Sequence, residues 1–347
     1  MARSHCAVHP ALVPIAVADG VASLLNSGLG AAESARFGRA LRRVPRPRDP
    51  VFVLGHWRCG TTLLHELLAL DSGHAAPTLY QCLAPHHFLL TGRWLPRFLR
   101  PLVPERRPMD EMSIDLSGPC EDEFALCLLG ARSPYQTLAF PNSQRMERDQ
   151  FDPAAFRPAE RTRWIRAIDL FTRKLAVAAP RRRLVLKSPP HSVRIRTLLE
   201  LFPEARFVRI VRNPVAVFPS TMHTWRQLSR AHGWQRPNHR GLAETVLDLF
   251  LYFEDAWERD RDLIAEGRVH QLRYEDLVAH PVTELARLYR ALALDLPRDL
   301  EGSVTSYFAR RRHFQTNRFA LPPATARLVN ERWRVAIERQ GYREAAA

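Results

Sequence analysis

Val51-Phe-Val-Leu54 runs directly into Gly55-His-Trp-Arg-Cys-Gly60-Thr-Thr62, and residues 63–70 follow with apolar side chains at helical spacing. A short β-branched run, a glycine-bounded loop and a helix start make a strand–loop–helix unit. The Gly-x4-Gly spacing is that of a loop whose backbone N–H groups, with the helix N-terminus behind them, hold anionic oxygens. A nucleotide triphosphatase carries lysine directly after the second glycine, then Ser or Thr for Mg²⁺. Here Thr61 takes the lysine position and the cation sits inside the loop as Arg58. This suits a ligand with one 5′-phosphate bearing a transferable group: Thr61, Thr62 and the loop amides hold the phosphate, Arg58 covers the bridging oxygen, and no metal is required. The glycine pattern taken alone is equally a plain turn between strand and helix.

Working outward, three more apolar runs read as strands: Arg183-Leu-Val-Leu-Lys187, Arg206-Phe-Val-Arg-Ile-Val211 and Val269–Arg273. Helical spacing occupies residues 121–130, 161–179, 193–202, 241–266, 281–293, 298–310 and 325–340, and Asn213-Pro214 opens another helix. Strands alternating with helices predict an α/β fold with a mainly parallel central sheet flanked by helices. A helical pattern over 16–43 is stopped by Pro45, Pro47 and Pro50, so residues 1–49 read as an N-terminal helical extension and 50–347 as the main domain. Prolines at 77, 85, 96, 101, 104 and 108 make 75–115 an irregular lid suited to walling an acceptor pocket.

Composition narrows the setting. The 347 residues can bury a substantial core without disulfides or metals. Five cysteines, Cys6, Cys59, Cys82, Cys120 and Cys127, are odd in number and form no CxxC pair, which argues against a disulfide framework or zinc site and for a reducing, cytoplasmic compartment. The most apolar N-terminal stretch, Ala11 to Leu25, is interrupted by Pro14 and Asp19. It is too short to span a bilayer and lacks the marks of a secretory signal, so a packed helix and no transmembrane segment are expected. The net charge of +15 is scattered among acids, which favours an anionic nucleotide over sequence-specific nucleic acid. Against this arginine-rich background Lys174 and Lys187 are the two lysines, and a compact ammonium at Lys187 hints at a role that a planar fork does not serve.

Four blocks taken in order, Arg58-Cys-Gly-Thr-Thr-Leu-Leu64, Leu184-Val-Leu-Lys-Ser-Pro-Pro-His191, Arg212-Asn-Pro-Val-Ala-Val-Phe-Pro-Ser220 and Arg273-Tyr-Glu-Asp-Leu277, make the chain resemble the family of sulfotransferases that use 3′-phosphoadenosine 5′-phosphosulfate (PAPS). Cys59 stands where that family usually has serine. The resemblance implies a P-loop NTPase-like sulfotransferase fold, PAPS as donor cosubstrate, and a loop of Arg58, Cys59, Gly60, Thr61 and Thr62 around its 5′ end. It also implies that Lys187 approaches the sulfuryl group and that Arg212 and Ser220 bind the 3′-phosphate. An arginine at a strand end and a serine in the next helix can converge on one phosphate through charge-assisted and hydroxyl hydrogen bonds. The basic run Arg310–His313, with Arg318 beyond it, lies where relatives close a loop over that phosphate; Arg311 and Arg318 are therefore candidates, and a solvated helix end is the alternative.

An acceptor hydroxyl must also lose a proton. His191, four residues beyond Lys187, is neutral enough near pH 7 to take it. Many relatives have their histidine two residues after the lysine, where this chain has Pro189, and packing against the next helix is the other role open to His191. Glu121 and Glu123, at the start of a short apolar helix, are the second candidates, with helix capping as the alternative. The acceptor reads as an unidentified small molecule, lipid or carbohydrate bearing a hydroxyl or amine. A P-loop-type kinase and a non-catalytic nucleotide-binding protein are the competing functions.

Overall fold

The computed structural model describes residues 8–105, 114–142, 146–311, 319 and 321–342. They fall into two units, the first drawn from 48–76, 181–223 and 243–347 and the second from 1–47, 77–180 and 224–242.

In the first unit, β1 (Val51–Leu54), β2 (His74–Ala75), β3 (Arg183–Lys187), β4 (Arg206–Val211) and β5 (Val269–Arg273) form one sheet in the order β2-β3-β1-β4-β5. Every pairing is parallel. Four of these strands are those expected from sequence; β2 has two residues, too few for a periodicity to register. A parallel sheet is covered on both faces, which is why the central β1 is apolar at every position. Val51 and Val53 join Leu64, Leu67, Leu68, Val208 and Ile210 on one face. Phe52 turns the other way onto Phe202 and Phe207, with ring centroids 5.7 Å away in each case. In register Val53 lies beside Lys187 and Leu54 beside Arg209, so the loop after β1 leaves the sheet edge at which β3 ends. That carboxyl edge, where neighbouring strands turn to opposite sides, is where open α/β sheets bind ligands.

The second unit holds the N-terminal helix Val13–Arg43 and the helix Pro158–Ala178. Pro14 lies in the first turn of the former, where its missing N–H is no loss, so it opens the helix instead of interrupting it. Asp19 does not break the helix either, because its carboxylate accepts the Trp234 indole N–H at 3.0 Å. By length and composition alone the helical stretch Pro10–Arg43 is long and apolar enough to cross a membrane. Further along the helix, the buried Glu33 carboxylate pairs with the Lys174 ammonium and accepts the Leu90 N–H at 3.0 Å. Residues 75–115, expected to be irregular, contain the short helices Leu79–Leu83, Phe88–Thr91 and Leu95–Leu99. Thr78 and Gln81 form a capping box for the first of them, and Pro96 sits in the first turn of the last.

Candidate functional site

The loop after β1 is shaped by backbone positions that tolerate little else. Gly55 has φ of 148° and would bring a Cβ within 2.6 Å of the Ile210 carbonyl oxygen; its N–H donates to Ser192 Oγ at 2.9 Å. Gly60, at φ 97°, precedes the helix Thr61–Leu68, and a Cβ there would lie 2.3 Å from the Tyr274 ring. Arg58 also adopts a left-handed conformation, at φ 69°, which an arginine rarely does and which marks a position held by its surroundings. The first-turn amides of Thr61–Leu68 have no intrahelical partner and Gly60 gives them no side-chain cap, leaving an anion-binding helix end. The helix itself is fixed to the sheet by His65, whose Nε2–H donates to the Val185 carbonyl at 3.0 Å.

Around this loop the structure brings together residues far apart in sequence. Arg58 Nε donates to Ser220 Oγ at 2.9 Å, and Arg212 Nη1 donates to the Arg58 carbonyl at 3.0 Å. Ser220 lies in the helix Pro214–His232, which Pro214 opens after β4. Lys187, the last residue of β3, is 3% exposed and its Nζ reaches Thr62 Oγ1 at 3.4 Å. Arg58, Gly60, Thr61, Thr62, Lys187, Arg212 and Ser220 thus form one cluster carrying three cations. Cys59 is in the same loop, but burial, reinforced by the Glu254 carboxylate, pushes its thiol up to about 12. It is a neutral thiol at physiological pH and no nucleophile.

The remaining candidates are engaged in other contacts. The His191 side chain is completely buried, edge-on to Phe52 at 5.3 Å, within the ring cluster of the sheet. Arg311 is engaged by Glu66 of the loop helix, at 2.8 Å and 3.0 Å, and its guanidinium covers the Tyr307 ring. Arg318 lies outside the described residues. Glu121 and Glu123 belong to the second unit, at the start of the helix Asp122–Leu128. Glu121 makes no side-chain cap there and accepts the Tyr135 hydroxyl instead, while Glu123 is fully buried.

Two contributors escaped the sequence. Tyr274 fills the space that the absent Gly60 side chain leaves and lies under the Arg212 guanidinium, 4.4 Å from carbon to ring centroid. The motif Arg273–Leu277 was visible, but not its tyrosine's partner. Arg209, buried in β4, donates to Glu254 at 2.5 Å and to Gln271 at 3.2 Å, and stacks on Trp257. Its signal was an arginine in mid-strand, between the apolar pairs Phe207-Val208 and Ile210-Val211. His56 Nδ1–H donates to the Trp57 carbonyl at 3.0 Å, and burial lowers its pKa to about 4, so the imidazole is neutral.

Residues 50–298 match the profile of the Sulfotransferase family. An omega-hydroxy-beta-dihydromenaquinone-9 sulfotransferase, Stf3, from Mycobacterium bovis is 40% identical over 345 residues, covering 98% of this chain and 87% of the relative. The protein of the same name from Mycobacterium tuberculosis matches equally. In fold, the crystal structure of sulfotransferase STF9 from Mycobacterium avium superposes with a TM-score of 0.70 at 22% identity, over 91% of this chain and 83% of that one. The glycine loop, the cations gathered at the sheet edge and these matches agree, and the chain belongs to the sulfotransferase family.

Proposed function

We propose that the first unit binds PAPS and that the enzyme transfers its sulfuryl group to a lipid hydroxyl, releasing adenosine 3′,5′-bisphosphate. The observation that carries this reading is the linked set Arg212, Arg58 and Ser220 beside Lys187 and Thr62. The side chains assigned to the two ends of the nucleotide hold one another in place before it arrives, which lowers the ordering cost of binding.

Loop amides with Thr61 and Thr62 take the 5′-phosphate oxygens, and Arg212 with Ser220 takes the 3′-phosphate. By analogy with phosphoryl transfer the displacement is in-line and loose. The bond from sulfur to the bridging oxygen breaks as that from sulfur to the acceptor oxygen forms. Lys187 and Arg58 stabilise charge on the bridging and equatorial oxygens. The acceptor hydroxyl gives up its proton as the new bond forms; the burial of His191 against Phe52 supports a packing role for that residue. Arg311, held by Glu66, serves to fasten the end of the helix Leu300–Arg310 to the loop helix.

The proposed acceptor class is supported by the relative named for an omega-hydroxy-beta-dihydromenaquinone-9, a long apolar molecule bearing a hydroxyl. A cytoplasmic setting is in keeping with the free thiols of Cys59, Cys82, Cys120 and Cys127. The test is transfer of ³⁵S from labelled PAPS to a long-chain primary alcohol without Mg²⁺. Labelled sulfate ester is the expected product. Turnover only with ATP and Mg²⁺ would overturn the donor assignment in favour of a kinase, and transfer only to short polar acceptors would overturn the acceptor class.

A further inference from the structure

The helix Val13–Arg43 carries an apolar stripe on its outward face. At about 100° per residue, Asp19, Asn26 and Glu33 share one side of it. All three are held by their own unit: Asp19 by the Trp234 indole, Asn26 Oδ1 by His87 Nε2 at 2.8 Å, and Glu33 by Lys174 and the Leu90 N–H. The side that carries them, with Phe37 and the buried Leu41 further along it, is therefore the one that meets the unit. On the opposite side Val13, Val17, Val21, Leu24 and Leu25 fall within an arc of about 120°, the width of an ordinary core-facing stripe. In this helix they face outward; Val17, Val21, Leu24 and Leu25 are 54 to 75% exposed.

The same arc continues into arginines. Arg39, Arg42 and Arg43 lie on it, and all three are exposed. In the twenty residues from Val13 to Ala32 the only formal charge is Asp19, already hydrogen-bonded inward. One outward face is thus apolar for its first half and cationic for its last turns, on a chain whose net charge is +15. Beyond the helix Phe88–Thr91, the same unit exposes Trp94 and Phe98 among the exposed Arg93, Arg97 and Arg100. Aromatic rings flanked by arginine are the side chains that settle at a bilayer interface.

We infer that this face docks on an anionic phospholipid bilayer, with Val17, Val21, Leu24 and Leu25 in the acyl boundary and Arg39, Arg42 and Arg43 on the phosphates. The helix lies on the membrane and does not cross it, because crossing would strip Asp19, Asn26 and Glu33 of the partners that hold them. The inference stands apart from the transfer reaction and does not depend on its donor or acceptor.

Flotation of the full chain with vesicles of 70% phosphatidylcholine and 30% phosphatidylglycerol, against pure phosphatidylcholine, tests it. The wild type should float with the anionic vesicles and be released by high salt. Leu24→Glu with Leu25→Glu should lower partitioning at least about tenfold, given the apolar area that these side chains bury. Replacing Arg39, Arg42 and Arg43 by serine should weaken binding to anionic vesicles by roughly fivefold per arginine and leave neutral vesicles unaffected. Unchanged thermal midpoints and nucleotide affinity in both variants keep a loss of binding from being a loss of folding. No flotation of the wild type, equal flotation of the glutamate variant, or resistance to alkaline carbonate as for a spanning helix would each overturn the proposal. So would a wild-type dimer that the glutamate substitutions dissolve in the absence of vesicle binding, since the stripe would then be a self-interface.

Discussion

Lys174 and Lys187 are 2% and 3% exposed, one in each unit, and the chain has no other lysine. Lys174 is held by the Glu33 carboxylate and the Pro85 carbonyl, over the Phe88 ring. Burial pulls its pKa below the ordinary value while Glu33 opposes that shift. Its pairing with Glu33 fixes the N-terminal helix to the unit. Lys187 instead ends at Thr62, in the first turn of the loop helix proposed to receive the 5′-phosphate. The difference teaches that the role to be tested for a buried lysine in this chain depends on where its ammonium ends, and that scarcity of the residue type does not decide it.

The largest expected effect breaks the comparison on its structural side. Glu33→Ala leaves the Lys174 ammonium buried without its carboxylate and should cost about 3–5 kcal/mol of stability. Lys174→Met combined with Glu33→Leu should restore most of it. Denaturant midpoints of the three variants measure this, and an unchanged midpoint in Glu33→Ala would remove the structural role. On the functional side, Lys187→Ala should lower kcat by about 10²- to 10³-fold, as loss of one transition-state donor does, with product-nucleotide affinity nearly unchanged. Parallel steady-state kinetics and nucleotide titration separate the two quantities.

His56 sharpens the contrast as a basic group buried by losing its charge. Its folded pKa of about 4 lies below the unfolded value of 6.5. Above pH 6.5 neither state carries the proton; between 6.5 and about 4 only the unfolded chain takes it up, so stability falls as pH falls. The full loss is about 3 kcal/mol at 1.36 kcal/mol per unit. Denaturant midpoints between pH 7.5 and 4.5 should show this slope in the wild type and a shallower one in His56→Gln.

What could be read in the sequence was what is local. The β1 run, the glycine loop and the helix behind it are contiguous, and Arg212 with Ser220 sit in one strand-to-helix passage, so spacing alone carries their geometry. Arg58 and Ser220 are 162 positions apart, and the order of strands in the sheet, not spacing, makes them neighbours. Tyr274 beneath Arg212 and the pair Arg209–Glu254 escaped for the same reason: their partners come from other strands and helices. The N-terminal helix shows a different limit. Periodicity reveals a stripe of Val17, Val21, Leu24 and Leu25 but not the direction it faces. The helix meets its own unit through Asp19, Asn26 and Glu33, and the stripe faces outward. His191 illustrates the converse, since four residues after Lys187 is near in sequence yet its ring turns into the Phe52 cluster.

The central claim is that Arg212, Arg58 and Ser220 form the nucleotide's binding frame, and calorimetric titration with adenosine 3′,5′-bisphosphate tests it most directly, with 5′-AMP and Arg212→Ala as comparisons. Micromolar binding that requires the 3′-phosphate, and that weakens about 10- to 100-fold in Arg212→Ala for the 1.5–3 kcal/mol of a charged hydrogen bond, is the predicted result. Equal affinity for 5′-AMP, or no loss in the variant, would contradict it.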